Sequence, residues 1–110
     1  MTAERAFLRH LFESAVAAAS PAACMPPWLG ERPAGRVVVV GAVKAAAAMA
    51  LIVEQQWDEP LEGLVIVPDG HVASCDFIEV VEDSHPVPDE RGVAATQRIL
   101  ERVSGLAPED

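Results

Sequence analysis

Residues 37–53 read VVVVGAVKAAAAMALIV, and the reading of this stretch decides the fold. The valine run after Arg36 predicts a strand over 36–40 that is buried on both faces, because β-branched side chains suit a packed, pleated surface. Gly41 makes the turn. The alanine-rich run predicts a helix over 43–57, alanine being the best helix former, and Trp57-Asp58-Glu59-Pro60 ends it. LEGLVIV at 61–67 reads as a second strand and Pro68-Asp69-Gly70 as a turn. Strand, helix and strand in this order predict a parallel sheet with helices packed on it.

The same stretch has to be weighed as a membrane span. It is marginally short for one, and Lys44 at its centre would cost roughly 2.5–3.5 kcal/mol in the bilayer. Gly41 also divides it into a valine run and an alanine run. Glu4 and Glu13 interrupt any leader sequence, so a cytoplasmic chain with no membrane partner is expected. Cys24 and Cys75 have no CxxC or metal-ligand spacing and are predicted to be free thiols, buried or half-buried.

Outward from this centre, Leu8, Leu11, Phe12, Ala15, Val16 and Ala19 follow helical spacing and predict a helix over 3–19 with one buried face. Thr2 is its expected N-cap, and Ser20-Pro21 ends it. Pro21, Pro26, Pro27 and Pro33 with Gly30 and Gly35 predict a surface connector over 21–35, with room for a short helical turn. Downstream, DFIEVV at 76–81 reads as a third strand, SHPVP at 84–88 as a rigid loop, and Asp89 as the cap of a helix over 90–104. Val93, Ile99, Leu100 and Val103 would form the buried face of that helix, and Gly105 its stop. The fold class is α/β, a Rossmann-like three-layer sandwich around a small, mainly parallel sheet. Sheets average about 5–6 strands, and no strand follows the last helix, so the chain is expected to be an incomplete domain. Its expected parts are a leading helix (1–20), a connector (21–35), an α/β core (36–104) and a tail (105–110).

The chain has 110 residues, 17 acidic against 8 basic, and a net charge of -9. That length holds one small domain, and the acidic balance argues against nucleic acid and anionic membranes as partners. Lys44 is the single lysine; every other basic residue is arginine.

Two places could carry chemistry. The turn Gly41-Ala42-Val43-Lys44 joins a strand to a helix, where α/β proteins place anionic ligands against free amides. A cation at a helix N-terminus is unfavourable by roughly 0.3–1 kcal/mol, which is easier to understand if an anion binds beside it. A lysine snorkelling from the helix start is the plainer reading, and the turn is neither a Walker A loop nor a GxGxxG fingerprint. The second place is the loop 84–89, whose prolines would present His85 and Asp89 from a stiff backbone. His85 could donate to a phosphate or act as an acid or base, while capping alone suffices to explain Asp89. His71 reads first as part of a turn and His10 as helix surface. The acidic residues at 79, 82, 83, 89 and 90 form no metal pattern and read as a solvated face, so no metal ligand is assigned. No serine sits at a nucleophile elbow.

VVVVGAVKAAAAMA, GLVIVPDGH and IEVVEDSHPVPDERG, in this order and after LRHLFESAVAAASPAACMPP, resemble the N-terminal part of the glycerate 2-kinases, a family also named hydroxypyruvate reductase. The resemblance covers nearly the whole chain. It implies phosphorylation of the 2-hydroxyl of D-glycerate by ATP with Mg2+, in the interdomain cleft of a much longer enzyme. It implies a catalytic role for Lys44, which matches the lysine of the family's Gly-Ala-Gly-Lys-Ala turn, with Gly41 and Ala42 beside bound substrate or phosphate. His85 and Asp89 match the family's His-Pro-x-Pro-Asp stretch, which looks like part of the cleft wall. Val43 stands where the family usually has glycine, and a β-branched residue disfavours a positive φ there. The family continues into a Ser-Gly-Gly-Gly loop and a second domain. The chain is therefore expected to be an N-terminal fragment or truncated form, inactive alone. The alternative is a non-catalytic α/β module that binds a small anion, or that pairs with a partner chain or a second copy through an open sheet edge.

Overall fold

The computed structural model describes residues 2–110. Helix α1 (Ala3–Ala18) leads through short helices α2 (Pro21–Cys24) and α3 (Pro26–Leu29) to strand β1 (Val38–Ala42). Helix α4 (Ala46–Trp57), strands β2 (Glu62–Pro68) and β3 (Glu79–Asp83), and helix α5 (Glu90–Arg102) follow. The three strands lie side by side in the order β1-β2-β3, all parallel. The α/β class is as the sequence pattern predicts.

β2 is the doubly buried strand. Its side chains alternate between two cores: Val65 and Val67 pack with Ala46, Ala47, Ala50 and Val53 of α4, while Leu64 and Ile66 pack with Ala95 of α5. Helices therefore cover both faces, which makes three layers. The valine run, expected to be the strand buried on both sides, forms β1 at the sheet edge and is only half-buried. It also starts and ends two residues later than predicted, so that Gly41 lies inside the strand rather than in the turn. Gly63 interrupts the apolar run of β2 for a steric reason: a Cβ there would stand 2.1 Å from the Val39 carbonyl oxygen.

No helix joins β2 to β3. The connecting residues 69–78 cross the α4 face of the sheet, where Ala73, Cys75 and Ile78 join the core. Glu54 of α4, only 7% exposed, holds this crossing. Its carboxylate accepts the amides of Asp76 (2.8 Å), Phe77 (2.9 Å) and Ile78 (2.5 Å). Those amides are thereby withheld from the sheet, which is why the third strand begins at Glu79 and not at Asp76. Burial, with Glu54 and Asp76 nearby, pushes the Cys75 thiol up to about 11. Cys75 is half-buried as expected, but Cys24 is exposed.

The leading helix forms, and Thr2 caps it by accepting the Arg5 amide at 3.2 Å. Its predicted burial does not occur: Phe7, Leu8, Leu11, Phe12 and Val16 are all exposed, and no residue of α1 is buried. Helical spacing reports an apolar face, not what covers it. The connector is more helical than expected, with Ser20 capping α2 through the Ala23 amide. It is pinned to the far end of α4, where Trp57 Nε1 donates to the Gly30 carbonyl and Arg32 donates to the carbonyls of Glu59 and Pro60. α5 also turns differently from its predicted face. Ala95 and Ile99 meet the sheet, whereas Val93, Leu100 and Val103 are exposed. Among the described residues no helix is long and apolar enough to cross a membrane.

Candidate functional site

The strands end together, at Ala42, Pro68 and Asp83, so the loops that follow them share one edge of the sheet. A cleft of about 450 Å³ opens there. Ala42 and Val43 line it from the end of β1, Pro68 from β2, Asp83 from β3, and His85, Pro88 and Asp89 from the loop before α5. Gly92, Val93, Thr96 and Leu100 of α5 complete the wall, which explains why Val93 and Leu100 do not face the sheet.

The turn out of β1 departs from the expected helix start. Val43 has φ 77°, in the left-handed region, and a helix cannot run through it. α4 therefore begins at Ala46, with Ala45 at the cap position and no side-chain hydrogen bond to its free amides. Lys44 lies in the turn ahead of the helix rather than in its first turn. It is exposed and has no ion-pair partner among the described residues. Left-handed backbone at a β-branched residue stores about 1–3 kcal/mol. Val43→Gly is accordingly expected to raise stability by about 1 kcal/mol, after subtracting glycine's greater freedom in the unfolded chain. The urea midpoint should move up; an unchanged or lowered midpoint contradicts a strained turn.

The loop before α5 is held by its own charges. Asp89 caps α5 by accepting the Gly92 amide at 3.2 Å and also accepts Arg91 Nε at 3.1 Å. Partial burial works to raise the Asp89 carboxyl, but the Arg91 guanidinium and the Gly92 amide outweigh it and hold it below the usual range. The remaining nitrogens of Arg91 pair with Asp69 at 2.9 Å and 2.9 Å, and this bond holds the Asp69 carboxyl low as well.

Of the residues singled out in the sequence, the structure gathers Ala42, His85 and Asp89 into one cleft. Gly41 lies on the other side of the strand end, in an apolar groove with Met25, Met49 and Val53, and Lys44 lines neither. Asp83, read as part of a solvated face, belongs to the cleft. Its signal is the period of two: Val81 packs toward α5, so Asp83 points the same way at the strand's end. α5 approaches so closely that a Cβ on Gly92 would lie 2.8 Å from an Asp83 carboxylate oxygen.

The donor set does not fit a magnesium site. Asp89 is engaged by Arg91 and Gly92, and among the described residues no three His, Cys, Asp or Glu side chains are grouped so that they could hold one metal ion.

Residues 7–110 match a family model described as a domain of unknown function, DUF4147. The chain belongs to the DUF4147 family. A relative in Agrobacterium vitis that carries the name hydroxypyruvate reductase is 48% identical over 107 residues, which is 96% of this chain and 24% of the relative. The D-glycerate 2-kinase of Thermotoga maritima is 36% identical over 77 residues, 68% of this chain and 18% of that enzyme. The crystal structure of glycerate kinase from Thermotoga maritima matches with a TM-score of 0.72 at 28% identity, over 89% of this chain and 24% of that one. A protein of Pyrococcus horikoshii matches with a TM-score of 0.63 at 25% identity, over 93% of this chain and 27% of its own. The DUF4147 chain is thus homologous to glycerate 2-kinase and hydroxypyruvate reductase proteins, and spans about a quarter or less of their length.

Proposed function

We propose that this chain supplies one wall of a glycerate 2-kinase active site, at which ATP, with Mg2+, phosphorylates the 2-hydroxyl of D-glycerate in the cytoplasm. The observation that carries the reading is the shared edge of the sheet. The turn after β1 and the loop from His85 to Asp89, the two segments in which the resemblance suggests site residues, meet across one cleft. Phosphoryl transfer asks a protein mainly for positioning and for cancellation of negative charge. The exposed ammonium of Lys44 and the uncapped amides of α4 offer positive charge at that edge. Ala42 brings the backbone to it, with Gly41 behind it in the neighbouring groove, and His85 can donate to a carboxylate or phosphate oxygen. Asp89 shapes the wall, since its carboxylate is taken up by Gly92 and Arg91. ATP would supply the transferred group and magnesium charge neutralisation; no residue of this segment is assigned as a metal ligand.

One wall does not enclose two substrates, so the isolated chain is expected to show no ATP-dependent turnover of D-glycerate; robust turnover contradicts this. The positive test is a graft. This chain, replacing the matching segment of the Thermotoga maritima D-glycerate 2-kinase, is expected to leave a folded enzyme that still makes 2-phosphoglycerate. A folded graft without activity rejects the assignment.

A second reading is a module that pairs with a partner chain or a second copy. It is favoured by the single neighbour that β1 and β3 each have in the sheet, which leaves two open edges. A sedimentation measurement that finds a discrete dimer supports it, and a monomer rejects self-pairing.

A further inference from the structure

We propose that Arg91 is a positioning residue that sets the width of the cleft, by clamping the turn after β2 to the loop that carries His85. The inference about ligand binding rests on the function proposed above; the clamp itself does not. One guanidinium uses all three kinds of its nitrogen. Nη1 and Nη2 meet the two carboxylate oxygens of Asp69 at 2.9 Å each, and Nε meets Asp89 at 3.1 Å. Asp69 directly follows Pro68, and Pro68 and Asp89 both line the cleft. The bridge therefore ties together the walls that rise from β2 and from the loop before α5.

Three features assign it to geometry rather than to stability. First, the Arg91 side chain is 51% exposed, and ion pairs so placed contribute little to folding. Second, it occupies the first turn of α5, the helix end where a cation is disfavoured. Its placement makes sense through the carboxylates it joins. Third, the Asp69 end is itself fastened: its amide donates to the Asp83 carbonyl at 3.1 Å, and the Gly70 amide donates to Glu82 at 2.9 Å. The clamp thus couples the His85 loop to a turn already fixed on β3. A lysine cannot take this part, because a point charge lacks the planar fork that spans two carboxylates.

The test is backbone 15N relaxation on the whole chain, comparing wild type with Arg91→Met, Arg91→Lys and Asp69→Asn. In wild type the amides of Gly70 and His85 should be as rigid as those of Val65 and Val67 in β2. All three variants should loosen Gly70 and His85 and leave Val65 and Val67 unchanged. D-glycerate, added as the probe, should bind each variant at least about tenfold more weakly than wild type, as expected when a wall is misplaced. Unchanged relaxation in Arg91→Met, or full rescue by Arg91→Lys, overturns the clamp. Equal loosening of β2 and the loops also overturns it, since Arg91 would then be a general stability residue. If wild type does not respond to D-glycerate while the relaxation differences hold, the function proposed above fails and the clamp stands.

Discussion

Glu54→Ala is expected to destabilise the chain by about 3–5 kcal/mol, because it removes the acceptor of three backbone amides, one of them buried. The carboxylate is buried in α4 and receives three successive amides of the segment that crosses to β3. Its loss leaves those donors unmatched, at about 1–3 kcal/mol each where water cannot reach. Asp76 and Phe77 are exposed enough to recover some hydration, while Ile78 is buried, which keeps the total below a simple sum. Domains have only about 5–15 kcal/mol in all, so this one change removes a large share. Glu54→Gln keeps one acceptor oxygen and should cost less than half as much. Urea unfolding followed by circular dichroism measures both. A loss below about 1 kcal/mol for Glu54→Ala would mean that the crossing is held by its apolar contacts instead.

Lys44→Ala is the second large effect, and it falls on activity. In the grafted kinase it is expected to lower kcat by about 10³-fold or more, the range seen when a cation facing the transferred phosphoryl group is removed. Folding should be unaffected. Lys44 is exposed and unpaired among the described residues, and such substitutions usually move stability by no more than about 0.5 kcal/mol. The combination of lost turnover and retained stability separates a charge that works on substrate from one that merely decorates the surface. A graft whose kcat survives Lys44→Ala removes this residue from the site.

The fold was legible where a pattern is local. The apolar run of β2, the alanine-rich α4 and the Asp89 cap of α5 are each stated within a few consecutive residues. What the sequence hid depends on contacts between distant positions. The start of β3 is set by Glu54, which lies 22 to 24 residues away from the amides it binds. The valine run looked like the central strand, because hydrophobicity does not say which strand has neighbours on both sides. The exposed stripe of α1 is the same kind of error, since apolar periodicity marks a face without naming its cover. At the site, His85 and Asp89 were visible as an unusual loop. Arg91 was not, because its meaning comes from Asp69, 22 residues earlier. Val43 stands where the resemblance has glycine, and a β-branched residue disfavours a positive φ; the structure nonetheless keeps the left-handed turn and strains the valine to make it.

If this edge of the sheet is a substrate wall, ligands must contact the turn after β1 and the loop before α5. The most direct measurement is a titration of the 15N-labelled chain with D-glycerate, and separately with ATP and magnesium, following backbone amides. Saturable shifts are expected at residues 42–47 and 85–92, with none at Arg36 or Glu62 at the opposite edge. Saturating ligand that leaves 42–47 and 85–92 unmoved, or that shifts only the opposite edge, would contradict it.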